Sequence, residues 1–180
     1  EPEIIDVGNC VYTAQTFGPR RYELMNTRSM NHNVPLVGGN EQRAGRERRA
    51  ADVFADENGA RMELAGAYPE EAEIRSLVRT LSVSADALEL TDDVTLEKEQ
   101  PVTFVFMLRH QPTLEHGRAH FGKLGMAFDP SLDGHVEEIH VTDERMAGNF
   151  PGSVWRMTMT SRKAKVHQKK IVVRKAPFQS

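Results

Sequence analysis

Short apolar runs, each stopped by turn-forming residues, recur along most of this chain. Val34–Val37 gives way to Gly38-Gly39-Asn40, Ala50–Phe54 to Asp56-Glu57-Asn58-Gly59, and Arg61–Ala67 to Tyr68-Pro69. A chain punctuated this often cannot build long amphipathic helices, and its natural solution is short strands joined by tight turns. Ile74–Val83 alternates in part, Ala87–Leu90 and Val94–Leu96 flank an expected turn at Thr91-Asp92-Asp93, and Val136–Val141 alternates again. Val102–Leu108 is a solid apolar block, the pattern of a strand buried on both faces. Val154–Met159 and Lys170–Arg174 supply the last runs. The Asn58-Gly59 pair between two runs is a hairpin signal. Helical signals are weak. Glu70–Arg79 has helix-favouring composition, with Ile74, Leu77 and Val78 at helical spacing, but the Thr80–Val83 continuation favours a strand, so most of this segment is assigned to β. About ten strands at roughly 8–12-residue spacing predict an all-β fold, an antiparallel β-sandwich of two stacked sheets. With no internal repeat and no low-complexity linker, residues 1–180 read as one domain.

Composition supports a packed core, with 39% hydrophobic and 27% charged residues. A net charge of −3 and a pI near 6.2 argue against nucleic acid or a membrane surface as partner. No window approaches the roughly 18 apolar residues of a membrane span. The charge is unevenly spread. Residues 43–49 hold four arginines and one acid, 162–175 hold seven Lys/Arg and no acid, and 86–99 hold six acids and one lysine. Each run suits a solvated face, and the basic ones also suit a surface for an acidic ligand. Cys10 is the only cysteine, which rules out an internal disulfide and suits a small buried hydrophobe. The opening Glu1-Pro2-Glu3, without methionine or a basic-then-apolar signal, is expected of a processed or excised piece of a longer protein.

The segment richest in chemistry runs from Tyr12 to Gly45. It reads Tyr12-Thr13-Ala14-Gln15-Thr16-Phe17, Arg21-Tyr22, Ser29-Met30-Asn31-His32-Asn33-Val34-Pro35, then Gly38-Gly39-Asn40-Glu41-Gln42 and Gly45. Glu63-Leu64-Ala65-Gly66-Ala67-Tyr68-Pro69 and Arg75 follow. In this order and spacing these pieces resemble the heparinase II/III family of polysaccharide lyases, closely over about residues 1–80 and more loosely through Phe104–His110 and Asp143–Arg156. The resemblance implies the C-terminal, supersandwich-like β portion of a bacterial toroid-plus-sandwich lyase, periplasmic or cytoplasmic and not membrane-embedded. The N-terminal α/α toroid, which in the family supplies the catalytic tyrosine and most substrate contacts, is absent from this chain.

Alternation with Val34 and Leu36 places His32 on a strand, facing inward, where a satisfied core histidine is the simple reading. The resemblance implies instead a structural zinc held by His32, a carboxylate and a second histidine. Glu63 stands where the family has Asp, Asp52 is the alternative carboxylate, and His110 is the second imidazole, with His116 and His120 as substitutes. Two imidazoles and a carboxylate are a donor set zinc accepts. Where relatives often carry a histidine two residues before the metal ligand, this chain has Met30, which suits packing. Asn31 or Asn33 is left to offer a polar contact to the chemistry, and the main catalytic residues lie outside the chain. Arg21, Arg28, Arg43 and Arg46, with Gln42, suit an acidic polysaccharide, since guanidinium binds carboxylate or sulfate bidentately. The same arginines also suit plain surface loops.

The reaction implied is β-elimination at a uronic acid in a heparin- or heparan-like chain. It needs a base for the C5 proton, a group that neutralises the carboxylate, and an acid for the leaving oxygen. The chain by itself is expected to be inactive. Two other readings remain open: a non-catalytic carbohydrate-binding or structural sandwich, and a cupin-like metal enzyme using His32, Glu63 and His110 with open coordination positions.

Overall fold

The computed structural model describes residues 1–176. Twelve strands are present among them: β1 (Leu36–Val37), β2 (Ala51–Asp56), β3 (Gly59–Glu63), β4 (Ile74–Val83), β5 (Ala87–Gln100), β6 (Val102–Leu108), β7 (Thr113–Glu115), β8 (Arg118–Phe121), β9 (Leu124–Ala127), β10 (Asp133–His140), β11 (Ser153–Thr160) and β12 (Ala164–Lys175). One short α-helix, α1 (Glu144–Asn149), which the sequence pattern did not predict, is capped by the Asp143 side chain. Four strands form one sheet in the order β1-β6-β11-β10, and eight form the other in the order β2-β3-β4-β5-β12-β9-β8-β7, every pairing antiparallel. A single core cluster draws Phe104, Phe106, Met157 and Met159 from the smaller sheet and Leu77, Val94, Ile171 and Phe121 from the larger, so the two stack face to face. This is the all-β sandwich expected from the runs.

β6 is buried on both faces, as its composition requires. The second face is covered by a smaller cluster in which Ile5, Val7, Cys10 and Met146 pack on Met107 and Val154. The N-terminal segment also runs beside β6, with Ile5 N–H on the Met107 carbonyl at 2.9 Å and Arg109 N–H on the Glu3 carbonyl at 2.9 Å. β1 occupies the other end of the same edge. Between them the Asn33 side chain acts as a substitute peptide: its Nδ2 donates to the Ile5 carbonyl at 2.9 Å and its Oδ1 accepts the Met107 N–H at 2.9 Å. Cys10 is buried, as expected, its thiol donating to the Met146 thioether at 3.4 Å.

The hairpin expected at Asn58-Gly59 joins β2 to β3. Asp56 Oδ1 receives the Asn58 and Gly59 amides at 2.8 and 3.0 Å, and a Cβ on Gly59 would lie 2.0 Å from the Leu81 carbonyl oxygen, so glycine is required there. Two local expectations are corrected. Thr91-Asp92-Asp93 is no turn; it lies mid-strand in the continuous β5, and Asp92 faces the core. Polar residues read as punctuation because a buried charge has no local signature. His32, Asn33 and Val34 likewise lie outside β1, which is two residues long, at the end of a string of 3₁₀ turns from Ala14 to Asn31.

The acidic run of β5 and the basic run of β12 are adjacent strands in register, with Lys170 on Glu89 at 2.7 Å. These charges answer one another across the sheet.

Candidate functional site

The 3₁₀ segment before β1 and the loop after it enclose a cleft of ≈ 370 Å³, lined by Tyr22, Thr27, Arg28, Glu41, Gln42, Arg43 and Ala44. The loop is fixed at several points. Val37 and Asn40 exchange backbone hydrogen bonds of 3.2 and 2.9 Å across Gly38 and Gly39, both at positive φ, which glycine adopts without cost. Gln42 N–H donates to Ser29 Oγ at 2.9 Å, and Arg43 N–H to the Ala67 carbonyl at 2.9 Å. Beneath the segment lies a buried polar cluster. Arg79 binds Asp92 through Nε and Nη2 at 2.8 and 2.7 Å and sends Nη1 to the Asn33 carbonyl at 2.5 Å. The Tyr68 hydroxyl donates to the Pro35 carbonyl at 2.5 Å. Burial is the main force raising the Tyr68 phenol far above its usual value, which keeps it a donor.

Three of the five residues expected to bind ligand meet in this cleft. Arg28 pairs with Glu41, through Nε at 3.2 Å and a closer contact from Nη2. Arg43 pairs with Glu71 at 3.2 Å, and Gln42 lines the same cleft. Arg21 is exposed, its guanidinium 5.3 Å from the ring centroid of Tyr22, which lines the cleft. Arg46 is exposed on the next bend and is not among the lining residues. The cleft therefore holds two guanidinium groups, each paired with a carboxylate, together with the Glu41 carboxylate, a primary amide, a phenol and the Thr27 hydroxyl, which already donates to backbone carbonyls. Tyr22, Thr27 and Glu41 carried no separate functional reading in the sequence; Tyr22 and Glu41 stood only inside the quoted motifs.

The two asparagines expected near the chemistry are instead built into the frame. Asn31 is buried, donating to the Met25 carbonyl at 2.8 Å and accepting from Arg156 Nη1 at 2.6 Å. Asn33 has the bridging role described above. Met30 is half-buried, as a packing residue would be, and its N–H donates to Glu41 Oε2 at 3.1 Å.

The residues named for zinc do not fit it. Among the described residues no three His, Cys, Asp or Glu side chains gather as a metal site would require. His32 is half-buried, with Nδ1 on Asp6 at 2.8 Å and Nε2 on the Asn26 carbonyl at 3.2 Å. His110 is exposed and contacts Glu3 at 2.6 Å. Glu63 accepts from Ser76 Oγ at 2.7 Å, Leu77 N–H at 2.8 Å and Ala65 N–H at 2.9 Å. Burial alone would raise its pKa, but these donors outweigh burial and hold the carboxyl below the usual range. Asp52 is exposed in β2 at φ 47°, where the β2–β3 register shifts. His116 is exposed between β7 and β8, and His120 is half-buried on β8. An open-position metal centre of the cupin kind lacks its donor set for the same reason. The buried histidine of the sandwich is one the sequence did not single out. His167 has Nε2 on the Gln100 and Ala164 carbonyls at 3.0 Å each and Nδ1 on Ser161 Oγ at 3.1 Å.

No family model and no curated protein matches the sequence. Solved structures do match in fold. A heparinase III gene product with methylated lysines has a TM-score of 0.69 at 10% identity, over 97% of this chain and 28% of its own. Heparan sulfate lyase HepC from Pedobacter heparinus has a TM-score of 0.67 at 14% identity, over 99% of this chain and 29% of its own. A 4-alpha-glucanotransferase from Thermococcus litoralis reaches 0.52 at 19% identity over 69% of this chain. The chain thus has the fold of the C-terminal part of heparinase III structures and spans less than a third of their length.

Proposed function

We propose that this chain is the β-sandwich part of a polysaccharide lyase and that the cleft at Arg28, Gln42 and Arg43 binds an acidic polysaccharide. The observation that carries the reading is the convergence of those three side chains on one concave surface beside an exposed tyrosine. Guanidinium groups neutralise a uronate carboxylate, and an amide and a phenol suit sugar hydroxyls. In β-elimination a base takes the C5 proton, the electron pair forms the C4–C5 double bond, and the C4–O bond breaks as an acid protonates the leaving oxygen. Neutralising the carboxylate lowers the cost of charge building up at C5, and this is the part the cleft serves. The base and acid belong to a helical toroid packed on this surface. Tyr12, Phe17 and Tyr22 are exposed at 59%, 78% and 50%, which favours a sugar-stacking, non-catalytic module as the second reading.

The test is calorimetric binding of hyaluronan and heparan oligosaccharides to the chain and to Arg43→Gln. The proposal expects binding that weakens at least tenfold in the variant and falls with salt. Equal binding by both proteins would move the site elsewhere.

A further inference from the structure

The cleft already contains a carboxylate. Glu41 Oε1 takes the Nε and Nη2 edge of Arg28, and Glu41 Oε2 takes the Met30 N–H at 3.1 Å. A guanidinium edge and a backbone N–H converging on the two oxygens of one carboxylate is a donor set that would equally hold an acidic sugar. The Glu41 side chain is 24% exposed and that of Arg28 43%, so this pair is partly shielded. The other pair in the cleft is different in kind. Arg43 and Glu71 touch at 3.2 Å with side chains 55% and 64% exposed, so Arg43 turns to a ligand at little cost. The loop backbone is held by more than the Glu41 side chain, because Gln42 and Arg43 are also tied down through their own amides to Ser29 and Ala67.

We propose that Glu41 is an internal stand-in for the ligand carboxylate, occupying the Arg28 edge and the Met30 amide until an acidic sugar displaces it. The proposal rests on the reading of the cleft as an acidic-polysaccharide site. Arg43 makes the first contact, Arg28 becomes available only on exchange, and the exchange trades one carboxylate for another. Two consequences follow from that trade. Affinity for an acid is held down by the internal competitor, and a neutral sugar, which cannot replace Glu41 at Arg28, gains nothing from the seat.

The experiment compares a hyaluronan hexasaccharide with its methyl-esterified, neutral counterpart by titration calorimetry. The proteins are wild type, Glu41→Gln, Glu41→Ala, Arg28→Gln, the Arg28→Gln/Glu41→Gln double variant and Arg43→Gln, each checked for the wild-type circular dichroism spectrum. Both Glu41 variants are expected to bind the acid about tenfold more tightly, with the ester unchanged. The gain is expected to vanish in the Arg28→Gln background, the non-additivity that marks two residues acting through one contact. A gain that persists without Arg28 would make Glu41 a general field effect and overturn the stand-in. So would wild-type binding that Arg43→Gln weakens and neither Glu41 variant strengthens. If wild type and Glu41 variants alike bind acid no better than ester, the acidic-polysaccharide reading itself fails, and the stand-in with it.

Discussion

Arg79 and Asp92 sit opposite each other in register on β4 and β5 and form a bidentate ion pair that is buried on both sides, at 7% and 0% exposure. The third guanidinium nitrogen reaches the Asn33 carbonyl, so one side chain ties the core to the segment that carries the cleft.

Asp92→Ala leaves a buried guanidinium without its carboxylate, a change that typically costs about 3–5 kcal/mol. Urea unfolding is expected to show that loss. Arg79→Met/Asp92→Leu removes both charges and should cost less than either single change. A double variant worse than both singles would contradict the desolvation argument.

Asn33→Ala removes the substitute peptide between the N-terminal segment and β6. Leaving the Met107 N–H unpaired costs about 1–3 kcal/mol. Hydrogen exchange at the Met107 amide should accelerate by more than it does at Phe106 or Leu108. Uniform acceleration across β6 would point to global destabilisation alone.

Asp129 is held down to about 2, first by the Lys169 ammonium and then by the Ser131 amide at 2.8 Å. A depressed folded-state value means that the stabilisation is fully present above the unfolded value of about 3.9 and is lost as pH falls toward 2. Because the Asp129 side chain is 35% exposed, screening limits the contribution to about 1 kcal/mol. Lys169→Met should lower stability by about that amount at pH 7 and flatten the slope between about pH 4 and pH 2. An unchanged acid slope would dismiss the pair.

Zinc is expected to change neither the melting temperature nor the stoichiometry of bound metal, since His32, Glu63 and His110 hold separate partners. His32→Ala should destabilise the chain equally with zinc or with chelator present. Stoichiometric zinc lost in His32→Ala would overturn this.

The chain alone should generate no unsaturated uronate from heparin, heparan sulfate or hyaluronan, followed by ultraviolet absorbance. Turnover abolished by Arg43→Gln would place the complete site within these residues.

The strands and their burial were legible because strand periodicity is local. Val102–Leu108 is apolar at nearly every position and is buried on both faces, and the partial alternation of Ile74–Val83 marks a strand with unlike faces, whereas Val136 and Ile139 of β10 lie three residues apart and pack on the two separate clusters. The arginines and Gln42 of the cleft were legible by residue type and by resemblance. Asp92 was misread as a turn residue, and His32 as a strand residue, because a polar side chain reports its own chemistry and not its partner. The carboxylates that answer Arg28 and Arg43 lie 13 and 28 residues away, and the contact that holds His32 lies 26 residues away. Local apolar pattern was enough to mark most of the extended segments and the doubly buried β6, since water penalises exposed apolar side chains, but not the exposure of Val53 and Phe54 on β2 or the place of His32. Which charges meet is a property of the assembled sheets. A Coulomb or hydrogen-bond contact falls off over a few ångströms, and the sheet order that brings two such groups within that range is set by the packing of the whole sandwich.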